Sequence, residues 1–245
     1  MKIDKAIMAV DDNELYSDFW PLVSKVWKER FNIQPVLIYF GDKEMDDTFG
    51  SVIKITPVPD IPTYFQAQWA RFWFTTLSLE EVHVVSDIEM LPISRSVFVE
   101  QLLPIDDDKY VHLFGKQRPI PVCYHVAKGS MFKKVLQLGD TYEKSLREVY
   151  HSDGACFRHM GFERWGREES YCTKRLEEYQ GDDLHLFPRL APSRTERLDR
   201  SNWVSDISLS ELGSLIDCHS VRPYRHHRQS IDKIVQLLTS NYDLE

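Results

Sequence analysis

The stretch Glu81-Val-His-Val-Val85-Ser-Asp-Ile-Glu-Met-Leu-Pro92 decides the fold. Val82, Val84 and Val85 make its first part a short apolar run, halted by Ser86-Asp87, and this reads as a buried strand ending in a polar turn. Upstream, Ala6–Val10 stops at Asp11-Asp12-Asn13, Val36–Phe40 closes at Gly41-Asp42, and Ser51–Ile55 is a weaker run of the same kind. Between the first two runs, Leu15, Phe19, Leu22, Val23 and Val26 recur at helical spacing. Pro21 falls in that pattern, so the helix is expected to start near Asp18 with the proline in its first turn. After the proline-rich turn of residues 57–62, an aromatic helix is expected over Tyr64–Leu77. Strands that are continuous rather than alternating, and separated by helices, predict an α/β chain with a mostly parallel sheet covered on both faces. Ligands of such sheets bind beyond the carboxyl ends of the strands, where Asp11, Gly41 and Asp87 all stand.

The second half has a different texture. Tyr110–Phe114 and Ile120–Val126 read as strands around a turn at residues 115–119, and Gly129-Ser130 as the cap of a helix from about Met131 to Leu138. Thr141–Tyr150, Glu168–Tyr179 and Ser230–Thr239 carry helical patterns, the last with Ile231, Ile234, Val235 and Leu238 on one face. Residues 181–204 are polar and match no template. With no repeat or linker, the expectation is one domain over 1–245, its C-terminal part rich in helix.

Lys and Arg total 30 against 38 Asp and Glu, a net charge of −8. That balance argues against nucleic acid or an anionic membrane surface as partner. No stretch approaches the ~18 continuous apolar residues of a spanning helix, and Met1-Lys-Ile-Asp-Lys5 has no signal-peptide core behind it. The expectation is a cytoplasmic protein. Cys123, Cys156, Cys172 and Cys218 form no CxxC and read as buried thiols rather than a zinc site or disulfide framework.

Asp87 and Glu89 carry the chemistry. In extended backbone, residues two apart point to the same side, and two acids side by side at a strand end repel unless a cation joins them. Oxygen ligands suit Mn2+ or Mg2+.

Thr63-Tyr-Phe-Gln-Ala-Gln-Trp-Ala-Arg-Phe72, followed by the Asp87-Ile-Glu89 strand end, resembles the nucleotide-sugar-binding half of a GT-A glycosyltransferase, where an arginine-bearing helix leads into a strand ending in a DxD motif. The order of elements over residues 5–160 is similar to that of the glycogenin-like and lipopolysaccharide galactosyltransferase group. The resemblance implies a nucleotide-sugar half over 1–127 and an acceptor-side half over 128–245. It implies that Val10, Asp11, Asp12 and Asn13 hold base and ribose. It further implies that Arg71 and Ser86 contact the donor and that His125 and Gly129 line the donor sugar. Asp87 and Glu89 take the two acidic positions, a glutamate replacing the second aspartate.

Asp217-Cys-His219-Ser-Val-Arg222-Pro-Tyr224 resembles the H-x-x-G-x-x-K-P-W element of the glycogenin-like group. The carry-over makes His219 a third metal ligand and Arg222 the diphosphate clamp, although the spacing is shorter, the glycine is absent and Arg replaces Lys. Arginine can hold phosphate bidentately. Trp165-Gly166-Arg-Glu168-Glu169 resembles the acidic segment of inverting galactosyltransferases, which would make Glu168 or Glu169 the base. Asp153 stands where retaining relatives keep an acidic sugar-binding residue.

The expected activity is metal-dependent transfer of a sugar from a UDP- or GDP-sugar to a glycan or other hydroxyl acceptor. Two alternatives are a nucleotidyltransferase acting on sugar phosphates and a non-catalytic carbohydrate-binding protein that kept the fold. The first usually has a glycine-rich phosphate loop after its first strand, where this chain has Asp11-Asp12-Asn13.

Overall fold

In the computed structural model, which describes residues 1–116, 119–152, 166–187 and 197–241, the apolar runs pair as strands of one large sheet. In chain order the first elements are β1 (Lys5–Asp11), α1 (Glu14–Ser17), α2 (Trp20–Glu29), β2 (Gln34–Phe40), β3 (Ser51–Lys54), α3 (Thr63–Trp73), β4 (Val82–Val85), β5 (Met90–Pro92) and α4 (Arg95–Phe98). There follow β6 (Tyr110–His112), β7 (His125–Lys128), α5 (Gly129–Leu136), α6 (Tyr142–His151), α7 (Arg167–Glu178), β8 (Leu184–Leu186), β9 (Arg197–Leu198), α8 (Leu209–Gly213), β10 (Asp217–His219) and α9 (Tyr224–Ser240).

The large sheet has the order β3-β2-β1-β4-β7-β6-β8. All its neighbours pair parallel except β4–β7 and β7–β6, so β7 alone runs against the rest. Both faces are covered, as the continuous apolar strands require. Along β1, Ala6, Met8 and Val10 face a core built with Trp20 and Trp27 of α2 and Ile231, Ile234 and Leu238 of α9. Ile7 points the other way, against Ala67 and Ala70 of α3. On that second face Phe65, Trp69 and Phe72 of α3 meet Phe132 of α5, Leu146 of α6 and Tyr171 of α7.

The pattern-based boundaries shift in several places. The strand expected over Ile120–Val126 forms only from His125, because Tyr124 takes a left-handed φ of 67° that turns the chain out of the sheet. α9 starts at Tyr224 rather than Ser230, since its first turns are polar and give no periodic apolar signal. The unassigned region 181–204 contributes β8 and β9. Cys123, Cys172 and Cys218 are free and buried, and Cys156 lies outside the described residues.

A second sheet of three short strands, in the order β5-β10-β9, builds the site. β10 runs antiparallel to β5, with His219 opposite Met90, and parallel to β9, with Cys218 opposite Leu198. Ser220 N–H also donates to Glu89 O at 3.0 Å. These pairings bring the residues after Leu198 and around His219 to the turn that follows β4.

Candidate active site

The rim begins where β1 ends. Val10 is buried in the core. Asp11 accepts from the Thr63 hydroxyl at 2.8 Å and from Asn13 N–H at 3.2 Å, tying the start of α3 to the strand end. Asp12 accepts from the Tyr39 hydroxyl and from Asp42 N–H, so it ties the end of β2 to β1. A Cβ on Gly41 would collide with both the Asp12 carboxylate and the Tyr39 hydroxyl. Asn13 caps α1 by accepting from Leu15 N–H at 3.1 Å.

Past β4 the chain does not stay extended. Met90 N–H donates to Asp87 O at 3.2 Å, closing a turn over residues 87–90. Asp87 and Glu89 therefore do not share a strand face, and each pairs with a different arginine. Arg71, buried on α3, donates Nη1 to the Asp87 carboxylate and Nε to Gln68 O at 3.2 Å. Burial pushes the Asp87 pKa up, but Arg71 outweighs it and holds the carboxyl below its ordinary value. Ser86 is buried and turns its hydroxyl to Asp87 O at 3.1 Å.

Arg71 and Asp87 also face the start of α7. Gly166, at a left-handed φ of 80°, precedes this helix and sets Glu168 and Glu169 in its first turn. Glu168 is buried, and its Oε2 has no hydrogen-bond partner among the described residues. Burial pushes Glu168 up to about 7 against the pull of Arg71, with Glu169 and Asp87 adding repulsion. Glu169, half-buried, is pushed to about 7 by burial and by Asp87.

A carboxyl held up in this way weakens the fold as pH rises. In acid, folded and unfolded chains both hold the proton; above about 7 the folded chain must bury a charge that the unfolded chain carries freely. The rise from 4.5 to about 7 corresponds to roughly 3 kcal/mol. Glu168→Gln is accordingly expected to match wild type in urea denaturation near pH 4 and to be about 3 kcal/mol more stable at pH 8. A difference that does not vary with pH would show that Glu168 is not held protonated.

Glu89 and His219 meet, as expected, but a guanidinium stands between them. Arg200 donates Nη2 to Glu89 Oε1 at 2.7 Å, and the same nitrogen lies against His219 Nε2. Arg200 Nε donates to Ser220 O at 3.0 Å. His219 Nδ1 is 3.1 Å from Asp199 Oδ2. Burial, the largest influence on His219, lowers its pKa, but Glu89 and Asp199 outweigh it and leave the value raised. Behind this group Arg197 forms a bidentate pair with the buried Asp217, Nε and Nη2 each 2.6 Å from a carboxylate oxygen. Among the described residues, no three His, Cys, Asp or Glu side chains are grouped to hold a metal ion. The arrangement thus does not fit the Mn2+ or Mg2+ expected at Asp87, Glu89 and His219: arginines occupy both acids, and both ring nitrogens of His219 are engaged.

Arg222 lies elsewhere on the rim. Its guanidinium stacks over the Tyr16 ring, 4.5 Å from the centroid, beside the turn after β1, and makes no hydrogen bond or ion pair among the described residues. Arg225, on the same segment, reaches Glu14 at 3.1 Å.

Two residues expected to line the donor sugar are committed to the fold instead. His125 is fully buried; its Nδ1 is 2.8 Å from the Tyr110 hydroxyl and its Nε2 is 2.9 Å from Pro121 O. Burial and the neighbouring His112 hold its pKa well below the ordinary value, so it is neutral. Gly129 follows Lys128, which pairs with Val82 at the far end of β4 from Asp87. A side chain there would strike Thr75 O and Ser78 O, which explains the glycine without a ligand. Asp153 lies outside the described residues.

Arg200, Asp199, Arg197 and Asp217 were not expected from the sequence. The first three lie in the unassigned polar stretch, and only pairing with β10 reveals their place.

A mostly parallel sheet, two helical layers and a small second sheet delivering the late segment to the end of β4 make up the GT-A fold. No family model matches the chain, and no curated protein matches it in sequence. Solved structures do match. An active-site mutant of LgtC superposes with a TM-score of 0.53 at 12% identity, over 96% of this chain and 95% of that one. A glycosyltransferase involved in glycosylation of the major capsid of PBCV-1 gives 0.50 at 8% identity, over 94% and 98%. The glycosyltransferase GlyE of Streptococcus pneumoniae TIGR4 gives 0.51 at 10% identity; the match covers 98% of this chain and 64% of GlyE. At such identities the likeness is one of fold.

Proposed function

We propose that this chain is an enzyme that transfers a sugar from a nucleoside-diphosphate sugar to a hydroxyl of a glycan or glycoconjugate. One observation carries the reading: at the end of β4, two carboxyls held near pKa 7 face the buried Arg71 and its partner Asp87. Solved structures with the same fold that are named glycosyltransferases support it. So does the rim after β1, where Asp11 and Asp12, hydrogen-bonded to the Thr63 and Tyr39 hydroxyls, stand in place of the glycine loop of a nucleotidyltransferase.

Residues 1–127 form the donor half, with Asp11, Asp12 and Asn13 offering polar groups to base and ribose. Residues 128–245 supply the acceptor side. The acceptor hydroxyl attacks the anomeric carbon as its proton passes to Glu169, the member of the acidic pair open to solvent. The bond to the diphosphate oxygen breaks, and the charge left on the diphosphate is met by fixed cations. Arg222, which no acid claims among the described residues, is one of them. Arg71 keeps Asp87 ionised, and that charge in turn keeps the carboxyls of α7 basic. Attack assisted by a base on the face opposite the leaving group inverts the anomeric centre.

The test is a panel of UDP- and GDP-sugars incubated with the protein, in EDTA and in Mn2+, with release of free nucleoside diphosphate as readout. One donor is expected to be hydrolysed slowly, and faster when a hydroxyl acceptor is present. A chain that neither binds nor cleaves any member of the panel, while remaining folded, would refute the proposal.

No helix among the described residues is long and apolar enough to cross a membrane.

A further inference from the structure

We propose that Arg200 supplies the positive charge at the junction of Glu89 and His219, and that nucleoside diphosphate is bound there without a divalent cation. The inference rests on the donor chemistry of the preceding section.

A divalent ion at this junction needs the lone pairs of Glu89 and His219. Arg200 Nη2 is bonded to the first at 2.7 Å and lies against the second. A guanidinium cannot itself be a ligand, because all its nitrogens are donors or delocalised. Its positive charge also repels an incoming cation. Nor is Arg200 a loose side chain that a metal would displace at little cost. Nε is tied to Ser220 O at 3.0 Å, and the residue starts a helical turn capped reciprocally by Asp199 and Asn202. Asp199, one residue earlier, holds the other ring nitrogen of His219. The strand pairing of Leu198 with Cys218 sets both segments in register, so Asp199 and Arg200 emerge beside His219 as a consequence of the sheet.

Arg200 is also equipped to hold an anion. Its side chain is 25% exposed, while the carboxylate it pairs with is 10% exposed. Nη1 makes no hydrogen bond among the described residues, which leaves two N–H groups of the planar fork for a phosphate oxygen. A fork anchored on one edge and open on the other is preorganised, so little freedom is lost when the diphosphate arrives.

Calorimetric titration with UDP and GDP, in EDTA and in Mn2+, tests the proposal on the wild-type chain. The nucleotide that binds is expected to give the same Kd in both conditions. Arg200→Ala is expected to weaken binding at least about tenfold in EDTA, the size of a lost charge-assisted hydrogen bond. In that variant Mn2+ is expected to restore affinity, because Glu89 and His219 are freed to act as ligands. Wild-type binding that appears only with Mn2+ overturns the inference and leaves the proposed activity standing. An Arg200→Ala chain binding in EDTA as tightly as wild type overturns it too. Failure of both nucleotides to bind in either condition overturns the proposed activity, and this inference with it. If Arg200→Ala does not fold, the wild-type comparison decides, with Arg200→Lys, which keeps the charge and loses the fork, expected to bind in EDTA more weakly than wild type.

Discussion

Glu169→Gln is expected to lower kcat for sugar transfer by a factor of about 10² to 10⁴, the range a positioned general base contributes, with donor affinity unchanged. The argument is electrostatic. An ordinary glutamate is ionised but a poor base at neutral pH; one pushed to about 7 by burial and by Asp87 is available and basic together. Wild-type kcat/KM should climb tenfold per pH unit below about 7 and level off above it. That rise should disappear in the variant. Glu168 and Glu169 influence one another, so the observed midpoint belongs to the pair. If Glu169→Gln and Glu168→Gln both turn over at the wild-type rate, the acidic turn of α7 is not the base. The remaining reading is then that these acids only favour the helix N-terminus.

Arg71→Met is expected to destabilise the protein by about 3–5 kcal/mol, the loss seen when one partner of a buried ion pair is removed. Arg71 is 6% exposed and Asp87 28%, so the orphaned carboxylate cannot turn fully to water. For a chain of this size the melting temperature should fall on the order of 10 °C. The effect depends on pH in a stated direction. Arg71 holds the Asp87 pKa down, so the pair stabilises the protein above the ordinary carboxylate range and the gain fades on acidification. The deficit of Arg71→Met should therefore be largest near neutrality and shrink below about pH 4. A double variant, Arg71→Met with Asp87→Asn, should recover much of the loss by removing the stranded charge. Equal stability of the single variant and wild type at pH 7 would show that the pair contributes nothing net. The cation also restrains Glu168, so its removal should move that carboxyl above about 7.

The elements legible in the sequence are those whose signal is local. β1, β2 and β4 are continuous apolar runs with polar stops, and α3 and α7 carry patterns long enough to recognise. Glu168 and Glu169 were singled out by the resemblance of Trp165–Glu169 to the acidic segment of inverting galactosyltransferases. The small sheet could not be read, since strands of two and three residues hold too few alternations to register. Asp87 and Glu89 were legible as a pair but not as a geometry: extended backbone would have put them together, and the turn closed by Met90 sends them to different arginines. His125 and Gly129 look functional beside one another in sequence. Their roles follow from what surrounds them in three dimensions, a tyrosine and a carbonyl for one and two carbonyls for the other.

The three-stranded sheet also fixes when the centre can exist. Arg200 and Glu89 are 111 positions apart, and the strand that joins their segments ends at His219. Contacts between such distant parts of a chain close late, because the loop must be ordered before they reward it. During synthesis, β1, β2 and β4 have left the ribosome long before that final strand. The Arg200–Glu89–His219 group is therefore unmade until that strand has emerged. A chain stalled short of residue 219 lacks both the Arg200–Glu89–His219 group and α9, whose Ile231, Ile234 and Leu238 cover one face of the sheet.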